Sequence, residues 1–230
     1  KLSHLKTLKY EKTKDYLIID ANSRKHLEIE QTKTSLLNYY QKSQTPMGSR
    51  TLKRWICRPL NKVSEINNRL DAIDIIIKSN NIKILQDQLK QIGDLERIIS
   101  RISCKSARPK ELAQMRISIS HIPNIKNILN TLTSNTSNTS NTSNSIYLIN
   151  LNNNITSHSD IFNLLDNALA ESPSTLIKEG SVIKTGFDPE LDELRLLSNK
   201  ADDFLINLEI EERKKLNIPN LKIRYNKVHG

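Results

Sequence analysis

The residues in this chain that could do chemistry include three cations close to its C-terminal end. Lys222, Arg224 and Lys227 lie on or near the polar side of residues 221–228, where apolar and polar residues alternate. This alternation predicts a β-strand. Cations on one side of a strand, with Asn226 among them, could contact phosphate oxygens without reading base sequence. The alternative is that these residues face solvent and reach no ligand.

A second basic group lies on a predicted helix. Thr45 is its expected cap, Pro46 its first residue, and Arg58 before Pro59 marks its end. Leu52 and Trp55 fall on the apolar side of that helix, and we interpret Trp55 as a core anchor. The opposite side carries the cations Arg50, Lys53, Arg54 and Arg58. These could bind phosphate, but we favour a solvated face or an interdomain contact.

Catalytic or metal-binding patterns are weak in this sequence. The acidic group Asp188, Glu190, Asp192 and Glu193 crowds a predicted helix N-terminus, where the helix dipole already favours negative charge. The five histidines lie far apart and have no Ser or Cys partner pattern. The five glycines are scattered singly, and no phosphate-binding loop of the form GxxxxGK[ST] occurs. We therefore expect no catalytic residues, cofactor site or metal site in this chain.

Composition narrows the class of protein. The chain has 230 residues and a formal net charge of +10, which favours an acidic partner such as nucleic acid. The alternative is that AT-rich coding has enriched Lys, Asn and Ile. Cys57 and Cys104 show no metal spacing, so we expect buried thiols in a reducing compartment. No apolar run has membrane length, and we expect a cytoplasmic protein without a membrane partner.

The elements that position these residues are predicted to be helical. Ser35 to Asp74 forms a corner of three short helices, the third capped by Ser64. Helices follow over 82–92, after Asp94, and from Pro109 and Pro123, and another carries Ile161 to Leu169. Ordered pattern resumes near Ile155 after the polar repeat of residues 134–145, for which we expect disorder. These elements predict an all-α, multi-helix core bundle.

A long helix follows this bundle. Asp188 should cap it, Pro189 should be its first residue, and an apolar seam continues towards Leu216, a length of roughly 40 Å. Pairs Glu209 with Arg213 and Glu211 with Lys215 should support an exposed end that projects into solvent. Short β-prone segments are expected at residues 16–20, followed by a turn at 22–24, and at the C-terminus. The chain begins without Met and stops within the last of them, so we expect a piece of a longer protein.

Six stretches, in order, resemble the MutS family of DNA mismatch repair proteins, and the bacterial type more than the eukaryotic one. They are IIDANSRKHLEI, TPMGSRTLKRWICRPL with NNRLDAID, GDLERIISRI, SARPKELAQMR, GSVIKTGFDPELDELR and IPNLKIRYNKVHG. Together they cover nearly everything except about residues 131 to 160. The family's Phe-x-Glu mismatch reader and its ATP-binding loop are absent from this sequence.

The resemblance implies a domain organisation and a function. Residues 1–14 would end the connector domain, 15–210 would form the core or lever with a disordered insert at 133–145, and 211–230 would start the clamp. The lever would couple an ATPase elsewhere in the parent to the clamp, which contacts double-stranded DNA without sequence preference. For this chain the expected DNA-binding residues are Lys222, Arg224, Asn226 and Lys227.

The resemblance also implies features of the parent protein. It would bind ATP and Mg outside this chain, form a homodimer, recruit a downstream mismatch repair factor and associate with the nucleoid. The alternative is a helical scaffold or protein-interaction module that binds no nucleic acid.

Overall fold

The computed structural model describes residues 15–30, 32–135 and 146–218, together with Lys222. These residues contain ten α-helices and no β-sheet, so the all-α prediction is confirmed. The described residues fall into two compact units, divided between Val182 and Ile183. The first unit contains α1 (Ala21–His26), α2 (Leu36–Tyr40), α3 (Pro46–Cys57), α4 (Val63–Lys78), α5 (Ile82–Lys90), α6 (Leu95–Ser103), α7 (Pro109–Asn135), α8 (Ile146–Asn154) and α9 (Ser159–Ala168). The second unit contains α10 (Pro189–Leu216).

Local capping signals fix several helix starts as predicted. The Thr45 hydroxyl accepts a hydrogen bond from the Gly48 N–H at 2.9 Å, and Pro46 is the first residue of α3. The helix ends at Cys57, one residue before Arg58. The Asp94 carboxylate likewise accepts from the Arg97 N–H and caps α6. Each cap satisfies a backbone N–H that has no partner inside its helix.

Two predictions near the N-terminal end of the first unit, one of a helix start and one of a turn, are wrong. Helix α4 begins at Val63, so Ser64 lies inside it and does not cap it. Lys62 occupies the cap position, and its backbone carbonyl accepts hydrogen bonds from the N–H groups of Glu65 and Ile66. The Lys62 ammonium pairs with Asp15 and Glu65, which anchors this turn. The turn expected at residues 22–24 is instead part of α1, because the Asp20 carboxylate caps a helix there.

Pro123 does not open a helix. It lies inside α7, which runs without interruption over 27 residues. A proline within a helix removes one backbone hydrogen bond, but tertiary packing can outweigh that loss. In α7 the buried residues Ile119, Ile125 and Leu129 lie on both sides of the proline, so both halves of the helix are held by packing.

The polar repeat begins inside a helix. Thr133 to Asn135 are the last residues of α7, so the disorder expected from residue 133 is wrong for them, and residues 136–145 lie outside the described part of the chain. The next described element, α8, begins at Ile146, nine residues before the position near Ile155 where the sequence predicts that ordered pattern resumes. Its last three residues are the consecutive asparagines Asn152 to Asn154, which are weak helix formers.

The core of the first unit surrounds α7, which packs against α5, α6, α8 and α9. Leu132 and Leu148 are each only 2% exposed and join α7 to α8. The other buried members of this cluster are Ala72, Ile92, Ile125 and Leu129. Burying each leucine or isoleucine side chain of this cluster contributes about 1.5 to 3 kcal/mol. The buried members of this cluster are therefore all aliphatic.

The β-prone and cysteine predictions have mixed outcomes. Tyr16 pairs with Leu60 in a single antiparallel bridge, and no longer strand forms among the described residues. Residues 221–228 lie outside the described part except for Lys222. Cys57 is buried as predicted, but Cys104 is exposed because it caps the C-terminal end of α6 at the surface.

The second unit starts with a loop that is tied to α10. The Asp188 carboxylate caps α10 by accepting from the N–H groups of Glu190 and Leu191, and Pro189 is the first helical residue, as predicted. The Asp192 carboxylate accepts from the Gly186 N–H at 2.6 Å. Gly186 has φ +88°, which glycine adopts without strain. The loop and the first turn of α10 therefore form one hydrogen-bonded element.

Candidate nucleic-acid interface

The C-terminal end of α10 carries three consecutive cations, Arg213, Lys214 and Lys215. The helix ends at Leu216, and Asn217 follows in the left-handed conformation with φ +56°. Positive charge in the last turn of a helix is favoured because the backbone carbonyls there leave a partial negative charge. The three cations therefore interact favourably with the C-terminal end of α10.

Carboxylates one turn earlier pair with two of these cations. Arg213 forms an ion pair with Glu209, as predicted, and the two side chains are 35% and 23% exposed. The predicted pair of Glu211 with Lys215 is wrong, because Lys215 Nζ lies 3.0 Å from Oε1 of Glu212 instead. The hydrogen bond to Glu212 raises the pKa of Lys215 above its ordinary value. Lys214 is exposed on the same turn.

The four predicted DNA-binding residues follow this helix end in sequence. Lys222 is exposed. Arg224, Asn226 and Lys227 lie outside the described residues. Their DNA contact therefore stays a prediction.

The sequence changes charge abruptly at the end of α10. Glu212 is the last acidic residue, and the 18 residues that follow it contain six cations: Arg213, Lys214, Lys215, Lys222, Arg224 and Lys227. The predicted site included only the last three of them. The absence of Asp and Glu after Glu212 is the signal that connects the helix end to the later cations. We call residues 213–230 the basic segment.

A comparison with protein families bears on this arrangement. A family model described as MutS domain III matches residues 22–223, which is most of the 230-residue chain. The chain belongs to the MutS family. It carries domain III, the core and lever region of a DNA mismatch repair protein, and the resemblance identified from six motifs is confirmed. The matched range includes Lys222 and ends before Arg224.

The basic face of α3 in this MutS domain is largely occupied by ion pairs. The Arg50 guanidinium contacts Asp94 at 2.7 Å and also pairs with Glu96. Lys53 Nζ lies 3.0 Å from Glu30 Oε2, and this contact lowers the pKa of the Glu30 carboxyl. These pairs link α3 to α6 and to the segment after α1. This face therefore joins elements within the first unit, whereas a solvated face or an interdomain contact was favoured from the sequence.

The acidic group at the start of α10 serves its own loop. Asp188 is the helix cap, and Asp192 pairs with Arg195 at 2.9 Å as well as with the Gly186 N–H. Arg195 in turn donates to the Ile183 carbonyl oxygen at 2.8 Å. Within the described part of the chain, no three His, Cys, Asp or Glu side chains come together in a way that could hold a metal ion.

The first unit of this MutS domain also contains an apolar cavity of about 330 Å³. Leu95, Ile99, Met115 and Ile119 are among the residues that line it, and Asn154, Thr156 and His158 are its polar lining residues. No Lys or Arg lines the cavity. Among the described helices, we find none that is both long enough and apolar enough to cross a bilayer.

Proposed function

We propose that this domain is the lever of a mismatch repair protein and that its basic segment contacts duplex DNA through phosphates, without sequence preference. The observation that carries the proposal is the charge change after Glu212, where six cations follow with no carboxylate among them. Three of these cations lie on the last turn of α10. Family membership in DNA mismatch repair supports DNA as the acidic partner.

The physical basis is the release of counterions from DNA. Each phosphate that a cation neutralises frees counterions, so binding weakens as salt rises, with a logarithmic slope of about −0.9 per phosphate on B-form DNA. The basic segment has 18 residues and six cations, so it can contact several phosphates at once. Because such contacts carry no base information, they suit a clamp that holds duplex of any sequence.

The proposed coupling role follows from the length of α10. At about 1.5 Å per residue, its 28 residues span about 42 Å. A continuous helix of that length is a rigid element, and both of its ends can bias its arrangement. We propose that α10 projects to the clamp at its C-terminal end. In the parent, an ATPase domain that uses ATP and Mg, a homodimer and a downstream repair factor would complete the system.

The test is charge reversal in the complete parent protein. The variant Lys222→Glu, Arg224→Glu, Lys227→Glu should weaken binding to a random-sequence duplex and flatten its salt dependence, measured by fluorescence anisotropy between about 50 and 200 mM salt. The matched control is Lys33→Glu, Lys42→Glu, Lys110→Glu, which makes the same charge change at exposed sites of the first unit. Equal salt slopes for the two variants would contradict the proposal.

A helical scaffold remains the second candidate, and one observation favours it. The outward side of α4 exposes an apolar stripe of Val63, Leu70, Ile73 and Ile77, each about half exposed or more. These residues fall at helical spacing, as on a surface that packs against another helix. A scaffold of this kind would show no salt-dependent retention on duplex DNA, which the proposed lever and clamp role requires.

A further inference from the structure

We propose that Glu209 and Glu212 attenuate DNA binding by occupying the cations at the end of α10, so that a phosphate must displace a carboxylate to bind there. This inference rests on the proposed function and adds regulation of the same site. The two carboxylates position the cations, and the ligand is the same duplex DNA.

The geometry places one carboxylate against each flanking cation. Glu209 lies one turn before Arg213 and pairs with it, and Glu212 lies three residues before Lys215 with its Oε1 3.0 Å from Nζ. Both carboxylates are less than one-third exposed, whereas Lys215 is two-thirds exposed. Lys215 is therefore held from the helix side and remains open on the solvent side.

Glu211 is different, although it belongs to the same acidic run. The Glu211 side chain is exposed. It acts on Lys215 through charge alone, and more weakly than Glu212 does. Its spacing to Lys215 is four residues, so sequence alone would have assigned it the pair. This makes Glu211 a matched control, because its replacement removes the same charge from the same turn without breaking either ion pair.

An ion pair of this exposure is weak, and its effect on binding should be correspondingly modest. Exposed pairs are worth up to about a factor of five in an equilibrium constant. Removing the carboxylate should therefore tighten duplex binding by about two- to fivefold for each pair. A cation released from its carboxylate can neutralise a DNA phosphate and so free counterions from the DNA. The salt slope should therefore become steeper, by up to about 0.9 for each cation.

The substitutions should not unfold the helix. Negative charge near the C-terminal end of a helix opposes the dipole, so Glu→Gln there is neutral or favourable in that respect. Circular dichroism of each variant should show unchanged helix content. A retained helix allows any change in affinity to be assigned to the side chains.

The experiment compares Glu209→Gln, Glu212→Gln and Glu211→Gln in the complete parent protein. The probe is a fluorescent random-sequence duplex, titrated at several salt concentrations. We expect tighter binding and a steeper salt slope for Glu209→Gln and Glu212→Gln than for Glu211→Gln. Equal effects of the three substitutions would overturn the inference, because they would reflect net charge alone.

Two further outcomes separate the inference from the proposed function. If Glu209→Gln lowers thermal stability and leaves affinity at the Glu211→Gln level, the pair serves only the helix and the inference fails. If the unaltered protein binds duplex and the reversal at Lys222, Arg224 and Lys227 weakens it, the proposed function stands in either case. If the unaltered protein shows no salt-dependent duplex binding, both the proposed function and the inference fail.

Discussion

The guanidinium carbon of Arg69 lies 3.9 Å from the centroid of the Trp55 ring, and this contact joins α3 to α4. A cation over an aromatic face is attracted by the negative charge of the π system. Trp55 and Arg69 are both half-buried, so the ring is not enclosed in the aliphatic core. Trp55 therefore anchors α3 to α4 at the edge of the core, and not inside the core as predicted.

The Trp55→Ala variant should lose about 2 to 3 kcal/mol of unfolding free energy. Full burial would give about 3 to 5 kcal/mol, and partial exposure reduces this. Arg69→Gln should cost about 0.5 to 1 kcal/mol through loss of the cation–π contact. Urea unfolding of the two single variants and the double variant measures the coupling between them. Strict additivity would show that the contact contributes nothing.

A second prediction concerns the close approach of α7 to Gly93. A methyl group at Gly93 would lie 2.6 Å from Cγ of Gln114, while the Gly93 N–H donates to the buried Ser118 hydroxyl at 2.9 Å. The hydrogen bond prevents the backbone from moving away, so Gly93→Ala should cost about 1 to 3 kcal/mol. Chemical denaturation measures the cost.

The Gln114→Ala variant provides the control for this clash. Its side chain donates to the Gln91 carbonyl oxygen at 3.1 Å, so the single variant should lose a little stability itself. Combined with Gly93→Ala, it should recover most of the stability that Gly93→Ala alone loses. Failure of this rescue would place the constraint in the backbone rather than in Gln114.

The sequence predicts those features of this fold that depend on near neighbours. Thr45 with Pro46 and Asp188 with Pro189 mark helix starts correctly because a cap and its N–H group lie within three residues. The choice of Glu212 over Glu211 by Lys215 could not be predicted, since spacings of three and four residues both bring side chains together.

Features that depend on distant neighbours were predicted less well. The uninterrupted course of α7 through Pro123 requires packing against four other helices. The pairing of Lys53 with Glu30 joins residues from different elements, and no local pattern announces it. The predicted DNA-binding residues rest on the family resemblance as much as on charge, and they leave out the basic turn at Arg213 to Lys215, because two of its cations have predicted carboxylate partners.

A pH-dependent contribution to stability is expected at Asp94. The Arg50 guanidinium holds the pKa of the Asp94 carboxyl below its ordinary value, chiefly by a hydrogen bond. A pKa that is lower in the folded state gives stability that is fully present above the unfolded value of about 3.9 and is lost as pH falls through the folded value. Since Arg50 is nearly half exposed, the contribution should be about 0.5 to 1 kcal/mol.

The Asp94→Asn variant measures this contribution, because Asn keeps the helix cap and removes the charge. Its loss of unfolding free energy relative to the unaltered protein should be clear at pH 7 and much smaller at pH 2.5. Asp71→Asn makes the same charge change at an exposed site on α4 and serves as the control. A loss of the same size at both pH values would mean that the charge of Asp94 does not stabilise the fold.

The last prediction concerns Pro123 in the middle of α7. Proline has no N–H, so the carbonyl oxygen of the buried Ile119 receives no backbone hydrogen bond from position 123. The Pro123 side chain is exposed, so its removal sacrifices little packing. Pro123→Ala should therefore restore one helical hydrogen bond and raise the free energy of unfolding by about 1 to 3 kcal/mol.

Pro189→Ala is the matched control for this substitution. Pro189 is also exposed, but it is the first residue of α10, where a missing N–H costs nothing and a fixed φ is favourable. Its replacement should leave stability unchanged or lower it by a few tenths of a kcal/mol, because the unfolded chain gains freedom. If Pro123→Ala behaves like Pro189→Ala in thermal and urea unfolding, the helices around α7 already compensate for the missing bond. A gain confined to Pro123→Ala would show that the first unit keeps a destabilising residue in its central helix.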